Sequence, residues 1–104
     1  MENQKLQVQK NLKTSLRLLD QTECVGEIKK SIVLVMERLN MEIKNIDNVS
    51  HDIAKEFYYA NIMQITVALR NGSLGHYGST YRLNTQELCI WIRKYLLDNK
   101  KVLL

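Results

Sequence analysis

Apolar residues recur three or four positions apart along most of this chain, and this spacing constrains the fold more than any other feature. The longest run lies in the first half of the chain, at Val25, Ile28, Ile32, Val35, Leu39, Ile43 and Ile46. Such spacing places one apolar stripe along one face of an α-helix. Because the chain contains no proline, nothing in its composition forces a long helix to break. The sequence therefore predicts an all-α fold.

A chain of 104 residues has the length of a single domain, so we expect residues 1–104 to form one helical domain. Four helices are predicted. The first covers residues 4–19, and the second covers residues 23–45 with Asp20 as its N-cap and Glu23 as the reciprocal capping-box partner. The third begins at Asn48 or Ser50 after a loop at residues 45–50 and ends at Asn71-Gly72.

The fourth predicted helix begins at Asn84 or Thr85 and carries the clearest buried face in the chain. Its apolar residues follow the i, i+3, i+4, i+7, i+8 pattern, at Leu88, Trp91, Ile92, Tyr95 and Leu96. The predicted architecture is thus a four-helix bundle-like domain with a long second helix and a structured, glycine-rich loop before the last helix.

The second predicted helix resembles a coiled-coil seam, with one extra residue after Leu39. At 1.5 Å per residue it would extend about 35 Å, which is long for a compact monomer of this size. Two interpretations follow. Two copies of this helix pair as a homodimer, or the helix forms an antiparallel hairpin with the first helix of the same chain.

Three of the four glycines, Gly72, Gly75 and Gly78, lie within seven residues. We expect tight turns at residues 71–84, pinned to the core by Leu74, Tyr77, Tyr81 and Leu83. The Gly-x-x-Gly-x-x-Gly spacing matches neither GxGxxG nor the P-loop, and no strand precedes it, which argues against a nucleotide site. About 13 residues separate the flanking predicted helices, which excludes a simple helix-turn-helix, whose turn has 3–4 residues.

The net charge of +4 lies entirely in the last third of the chain. Residues 1–69 hold nine Lys/Arg and nine Asp/Glu, whereas residues 70–104 hold six and two, so 6 − 2 = +4. Basic surfaces attract phosphate backbones or acidic proteins. The candidate nucleic-acid-binding residues are Arg70, Tyr77, Tyr81, Arg82, Arg93 and Lys94. The tyrosines would stack on bases, as in single-strand binders; alternatively, they anchor the loop while the charges are solvated.

Nothing in the sequence predicts an enzyme, a metal site or a cofactor. Cys24 and Cys89 stand 65 residues apart without a CxxC or Cys/His spacing, and His76 has no ligand residue at i+3 or i+4. No apolar run approaches the roughly 18 residues of a membrane span, and no secretory signal is visible. We therefore expect a cytoplasmic protein with reduced thiols, although an intermolecular disulfide remains an alternative.

The segment ALRNGSLGHYGSTYRLNTQELCIWIRKY resembles a C-terminal pattern of small proteins from phages and mobile elements, especially of Bacteroides-like bacteria. In that pattern a helix ends in Arg/Lys-Gly, Gly-x-Tyr-Gly follows, and a last helix contains Trp-Ile/Leu-x-x-Tyr. The matching positions are Arg70, Gly72, Gly75, Tyr77, Gly78, Tyr81, Leu83, Trp91, Ile92 and Tyr95. The resemblance covers about a quarter of the chain and implies a replication-associated or other accessory factor.

Two functions are therefore expected. The first is a nucleic-acid-binding or replication-associated accessory protein of a phage or mobile element. The second is a protein-interaction module that inhibits or adapts a host replication or defence protein, as the heptad-like seam and the tyrosine-rich third helix suggest. Tyr58, Tyr59 and Met63 would form the interface if they are exposed, or pack in the core if they are not. An exposed apolar patch would favour the second function, and a basic surface the first.

Overall fold

A computed structural model describes residues 14–103, and their side chains as far as Asn99. A 3₁₀ turn at Leu16–Leu18 precedes four α-helices, α1 (Gln21–Leu39), α2 (Ile46–Glu56), α3 (Ile62–Ser73) and α4 (Thr85–Leu103). The described residues form no β-strand beyond one isolated bridge between Ser15 and Asn61. The predicted all-α, four-helix bundle-like fold is confirmed. Within residues 14–103, no helix has both the length and the apolar character needed to cross a bilayer.

Helix α1 corresponds to the second predicted helix and has the predicted N-cap, Asp20, but within the described residues Glu23 does not complete the predicted capping box. The Asp20 carboxylate accepts hydrogen bonds from the backbone N–H groups of Thr22 and Glu23 at 2.8 and 3.3 Å, which makes Asp20 the N-cap. The end was predicted wrongly: the helix stops at Leu39 and does not reach residue 45. Asn40 adopts a left-handed conformation, with φ of 52°, and this ends the helix.

The coiled-coil seam of this helix is used within its own chain. Val25, Ile28, Ile32 and Val35 are all buried, and α1 packs against both α2 and α3. The seam is therefore not free to form a homodimer. Residues 4–13 of the first predicted helix, the expected partner of the seam within one chain, lie outside the described residues.

Residues 15–19 were predicted as the end of the first helix, but they form an extended strap with a single 3₁₀ turn. Its Leu16 and Arg17 N–H groups donate to the carbonyl oxygens of Ala60 and Tyr58 at 2.9 and 3.1 Å, and the Ser15 hydroxyl donates to the Tyr59 carbonyl at 3.3 Å. We call residues 15–19 the N-terminal strap. Leu16 is its buried anchor.

Helix α2 begins where a loop was predicted. The loop lies instead at residues 40–45, with Asn45 in a left-handed conformation at φ 56°, and α2 starts at Ile46. Ser50, predicted as a cap, lies inside the helix, where its hydroxyl donates to the Ile46 carbonyl at 2.8 Å. Asparagine tolerates left-handed backbone, so the loop is set by Asn40 and Asn45 at its two ends.

The third predicted helix is two helices, because the chain breaks between Glu56 and Ile62. Asn61 begins α3 with a complete capping box: its side-chain oxygen accepts from the Gln64 N–H at 2.8 Å, and the Gln64 side chain accepts from the Asn61 N–H at 3.0 Å. Phe57 turns inward at the break and is buried. The break places Tyr58 and Tyr59 on a turn.

Helices α1 and α3 run in the same direction. Near their starts, the Leu16 N–H of the strap donates to the carbonyl of Ala60, just before α3, and the Leu16 carbonyl lies 3.9 Å from the sulphur of Cys24 in the first turn of α1. Near their ends, an Arg38 guanidinium N–H donates to the Ser73 hydroxyl at 3.1 Å. The chain returns through α2, and the C-termini of α1 and α3 therefore lie at the same end of the domain.

Helix α4 packs against α3 with Trp91 at the contact. Its first turn is capped by Asn84, whose side chain accepts from the Glu87 N–H at 2.9 Å, as predicted. The core forms where the helices meet and includes the largest fully buried side chains, Leu16, Ile28, Ile32, Ile53, Phe57, Ile65, Leu69, Leu88, Trp91 and Ile92. Tyr95 and Leu96 pack at its edge, which confirms the predicted buried face of the last helix.

Candidate interaction surface

The glycine segment is a pair of tight turns, but its glycines have different roles. Gly72, predicted to end α3, lies inside the helix and is buried against Trp91. The left-handed position is Gly75, with φ of 87°, and the backbone N–H groups of Gly75 and His76 donate to the carbonyls of Gly72 and Asn71 at 3.1 and 3.0 Å. These two bonds define a Schellman cap. Gly78, with φ of 104°, forms the next turn.

Two of the four residues predicted to pin this segment do so. Leu83 is buried and Tyr77 packs against the core, whereas Leu74 is half-exposed and Tyr81 is 90% exposed. The two candidate tyrosines therefore differ: Tyr77 anchors the loop, and Tyr81 presents nearly its whole ring to solvent, beside an exposed Arg82.

The adjacent cations of α4 lie against different elements. The Lys94 ammonium is 5.9 Å from the centre of the Tyr77 ring, on the side of the glycine segment. The Arg93 guanidinium is 5.7 Å from the centre of the Phe57 ring and makes a 3.1 Å ion pair with Glu56 of α2. Glu56 offsets the charge of Arg93. Lys94, in contrast, has no carboxylate partner within the described residues.

Arg70 stands apart from the other candidates. It lines a groove between α1 and α3, and no hydrogen bond, ion pair or ring contact within the described residues joins it to the other five. The structure therefore brings Tyr77 and Lys94 together, places Tyr81 and Arg82 on the adjoining loop, and separates Arg93 and Arg70 from them.

A tyrosine-rich surface lies next to Arg93. Tyr58 and Tyr59 are 52% and 54% exposed, and their rings meet edge to face at 5.6 Å between centroids. Tyr59 also lines a shallow pocket of about 310 Å³ with Arg93, Leu96 and Leu97. Leu97 is 58% exposed. We call these five residues, Tyr58, Tyr59, Arg93, Leu96 and Leu97, the tyrosine surface.

Sequence reasoning found only part of this surface. It identified Tyr58 and Tyr59 as a possible interface, but placed them in a continuous helix with Met63. Leu97 and Arg93 were not joined to them, because only the packing of α4 brings these residues beside the turn. The exposed position of Leu97 opposite the buried stripe of α4 was the signal available in the sequence.

The two cysteines are buried and unpaired. Burial raises the pKa of both thiols; at Cys24 the nearby carboxylates Glu23 and Asp20 raise it further, and at Cys89 the Arg93 charge partly opposes the effect. Neither thiol is therefore activated as a nucleophile. No cluster of three His, Cys, Asp or Glu residues suited to a metal ion is found in the part of the chain that the structure describes.

Neither a family model nor a curated protein nor a solved structure matches this chain.

Proposed function

We propose that this protein is a non-enzymatic accessory protein that binds a partner protein through the tyrosine surface. The observation that carries the proposal is the half-exposure of two adjacent tyrosines beside an apolar pocket that Leu96 and Leu97 help to line. Tyrosine is enriched at the centre of protein–protein interfaces. When it becomes buried on binding, it supplies a large contact area and a hydroxyl for hydrogen bonding.

The backbone under this surface is preorganised. Three hydrogen bonds from the N-terminal strap hold the turn that carries both tyrosines, and Phe57 packs its buried ring 6.2 Å from that of Tyr59. A surface that is fixed before binding loses little conformational entropy when a partner arrives.

The charges of α4 define the chemistry of the partner. The pocket is apolar apart from Arg93, and Lys94 follows it without a carboxylate partner in the described region. The complementary surface is an apolar anchor side chain seated between Tyr59 and Leu97, with an acidic residue facing Lys94, because Glu56 already offsets the charge of Arg93. This fits the acidic host protein expected from the charge of the last third of the chain.

Site-specific photocrosslinking tests this proposal. A photoreactive phenylalanine at Tyr59 should capture one partner from host lysate, and Leu97→Asp should abolish the product. With the purified partner, Tyr59→Ala should weaken binding by about thirtyfold, the effect of an interface hot spot of about 2 kcal/mol. Tyr81→Ala is the matched control, because it removes an equally large and more exposed ring from another site. Equal binding by Tyr59→Ala and wild type would contradict the proposal.

The second candidate function is nucleic-acid binding by the loop and α4. It is favoured by one specific observation, the 90% exposure of Tyr81 beside Arg82, with Lys94 held over Tyr77 nearby. In this function Tyr81 stacks on a base while Arg82 and Lys94 contact phosphates. Arg93 contributes less than the sequence suggested, because it is paired with Glu56.

Fluorescence anisotropy with single- and double-stranded oligonucleotides at two salt concentrations tests the second function. Dissociation constants weaker than about 10⁻⁴ M at low salt would count against it. Tyr81→Ala and Arg82→Gln should reduce oligonucleotide binding and leave protein binding unchanged. Tyr59→Ala should reduce protein binding and leave oligonucleotide binding unchanged.

The resemblance to accessory proteins of phages and mobile elements supplies the proposed setting, in which the partner belongs to host replication or defence machinery in the cytoplasm. Self-association through α1 is proposed only for its outer face, where Leu34 is about half-exposed, since the inner face is buried. A strict monomer by light scattering at high concentration would remove this part of the proposal.

A further inference from the structure

The groove between α1 and α3 is separate from the tyrosine surface and from the glycine segment, and it shares Leu34 with the outer face of α1. It has a volume of about 180 Å³ and is lined by Ser31, Leu34, Arg38, Thr66, Val67 and Arg70. Three of these residues come from each helix, and because the helices run parallel, Arg38 and Arg70 both lie in a last turn, at the same end of the groove. The lining contains two cations and no carboxylate.

The two arginines keep most of their hydrogen-bonding capacity. Arg38 donates one bond to the Ser73 hydroxyl at 3.1 Å, and Ser73 is itself buried and donates to the Arg70 carbonyl at 2.8 Å. These two hydrogen bonds position the Arg38 guanidinium and leave four of its five N–H donors free to bind a ligand. The Arg70 side chain has neither a hydrogen bond nor an ion pair within the described residues.

A purely structural role for the arginines is to offset the two helix C-termini beside them. Each C-terminus carries a partial charge of about −0.5, so two of them offset about one of the two guanidinium charges. About one positive charge is left at this end of the groove. The nearest carboxylate along the chain, Glu37, is not part of the lining.

The rest of the groove adds a second recognition element. Leu34 and Val67 form an apolar wall next to the arginines, and Ser31 lies about two turns before Arg38 on the same face of α1. We propose that this groove binds a small molecule that presents an oxyanion, a carboxylate or phosphate, attached to a short aliphatic group. The oxyanion accepts hydrogen bonds from Arg38 and Arg70, and the aliphatic group contacts Leu34 and Val67.

The test is an NMR titration of the ¹⁵N-labelled protein at constant ionic strength, which follows the arginine Nε–H signals. Acetate, butyrate and inorganic phosphate are the probes. Saturable shifts are expected at Arg38 and Arg70, with Arg17 as an exposed internal reference. Butyrate should bind more tightly than acetate by about fourfold for each methylene that becomes buried, which corresponds to about 0.8 kcal/mol. Phosphate binding tighter than butyrate would identify the phosphate form of the ligand.

Two variants make the result decisive. Arg70→Gln should weaken binding at least tenfold, and Arg17→Gln, its matched control at an exposed position, should not. Leu34→Glu places a carboxylate one turn before Arg38 at a position that is 48% exposed, so the fold is kept while the site is blocked. Linear shifts of equal size at Arg17, Arg38 and Arg70, or unchanged binding by the folded Leu34→Glu variant, would overturn the proposal. Neither Arg70→Gln nor Leu34→Glu alters the tyrosine surface, so this result is independent of partner binding at that surface.

Discussion

The contact between Gly72 and Trp91 makes a sharp prediction about stability. An ideal Cβ built on Gly72 would lie 2.5 Å from Cγ of Trp91 and closer still to Cδ2 and Cε3. Ordinary contacts of this type lie at about 3.5–4 Å, so Gly72→Ala requires the indole to move by more than about 1 Å. Trp91 is only 1% exposed, and the surrounding core leaves it little room.

The size of the effect follows from three terms. Overpacking a core of this kind costs about 1–3 kcal/mol. Moving the indole also strains the 3.1 Å hydrogen bond from its Nε1–H to the Glu87 carboxylate, and a bond to a charged group contributes about 1.5–3 kcal/mol. Alanine gains about 1 kcal/mol over glycine in a helix. The net expectation is a loss of about 2–3 kcal/mol, or about 10–20 °C in Tm for a domain of this size.

Urea unfolding followed by Trp91 fluorescence and by circular dichroism measures this loss. The chain supplies its own control in Gly26, which lies in α1 with no heavy atom within 4 Å of a built Cβ. Gly26→Ala should therefore stabilise the protein by about 0.5–1 kcal/mol. The same chemical change at two helical glycines is expected to have opposite signs.

A double-mutant cycle tests the stated cause. In a Trp91→Leu background the clash is removed, so Gly72→Ala should be neutral or slightly stabilising. Wild-type stability of the single Gly72→Ala variant would refute the reasoning. An equal loss with and without Trp91 would show that the indole is not the group that excludes the alanine.

Two further predictions concern the cap of α3 and the thiols. Asn61→Ala should lower the free energy of unfolding by about 1 kcal/mol in chemical denaturation, because it removes the side-chain acceptor of the capping box, whereas Asn48→Ala, at an exposed position inside α2, should change it by less than about 0.5 kcal/mol. Burial raises the pKa of Cys24 and Cys89, so their contribution to stability is complete below about pH 8.5 and is lost as the pH rises through the raised values. Because both thiols are buried, Ellman's reagent should react slowly with the native protein, whereas in denaturant it should react rapidly with two thiols. Fast reaction of both thiols in the native protein would contradict their buried positions.

The parts of the fold that the sequence predicted are those determined locally. The stripe of α1, the buried face of α4 and the caps at Asp20 and Asn84 each depend on residues within one or two helical turns. Because these patterns do not depend on tertiary contacts, they can be recognised in a single sequence.

The errors arose where a local pattern had two solutions. Apolar residues continue in helical phase through residues 53–69, so the break at Phe57 to Asn61 is hidden unless Asn61 and Gln64 are recognised as a capping box. The end of α1 depends on Asn40 adopting a left-handed conformation, which asparagine permits but does not require.

The candidate site was predicted less well than the fold. Exposure depends on which element covers a side chain, and this is a tertiary property. Tyr77 and Tyr81 are four residues apart in the same loop, yet one packs on the core and the other is 90% exposed. Similarly, Arg70 was grouped with basic residues nearby in sequence, whereas it shares a groove with Arg38, 32 positions earlier.

The N-terminal strap couples the proposed interface to folding. Its bond from Ser15 to Tyr59 joins residues 44 positions apart, so closing it carries a loop-closure entropy that the short-range helix contacts avoid. Three hydrogen bonds from the strap end on the turn that carries Tyr58 and Tyr59, and opening the strap breaks all three. A partner that binds these tyrosines as the closed strap holds them must, by thermodynamic linkage, also stabilise the strap. Amide hydrogen exchange at Leu16 and Arg17 is therefore expected to slow on binding, even though neither residue belongs to the tyrosine surface.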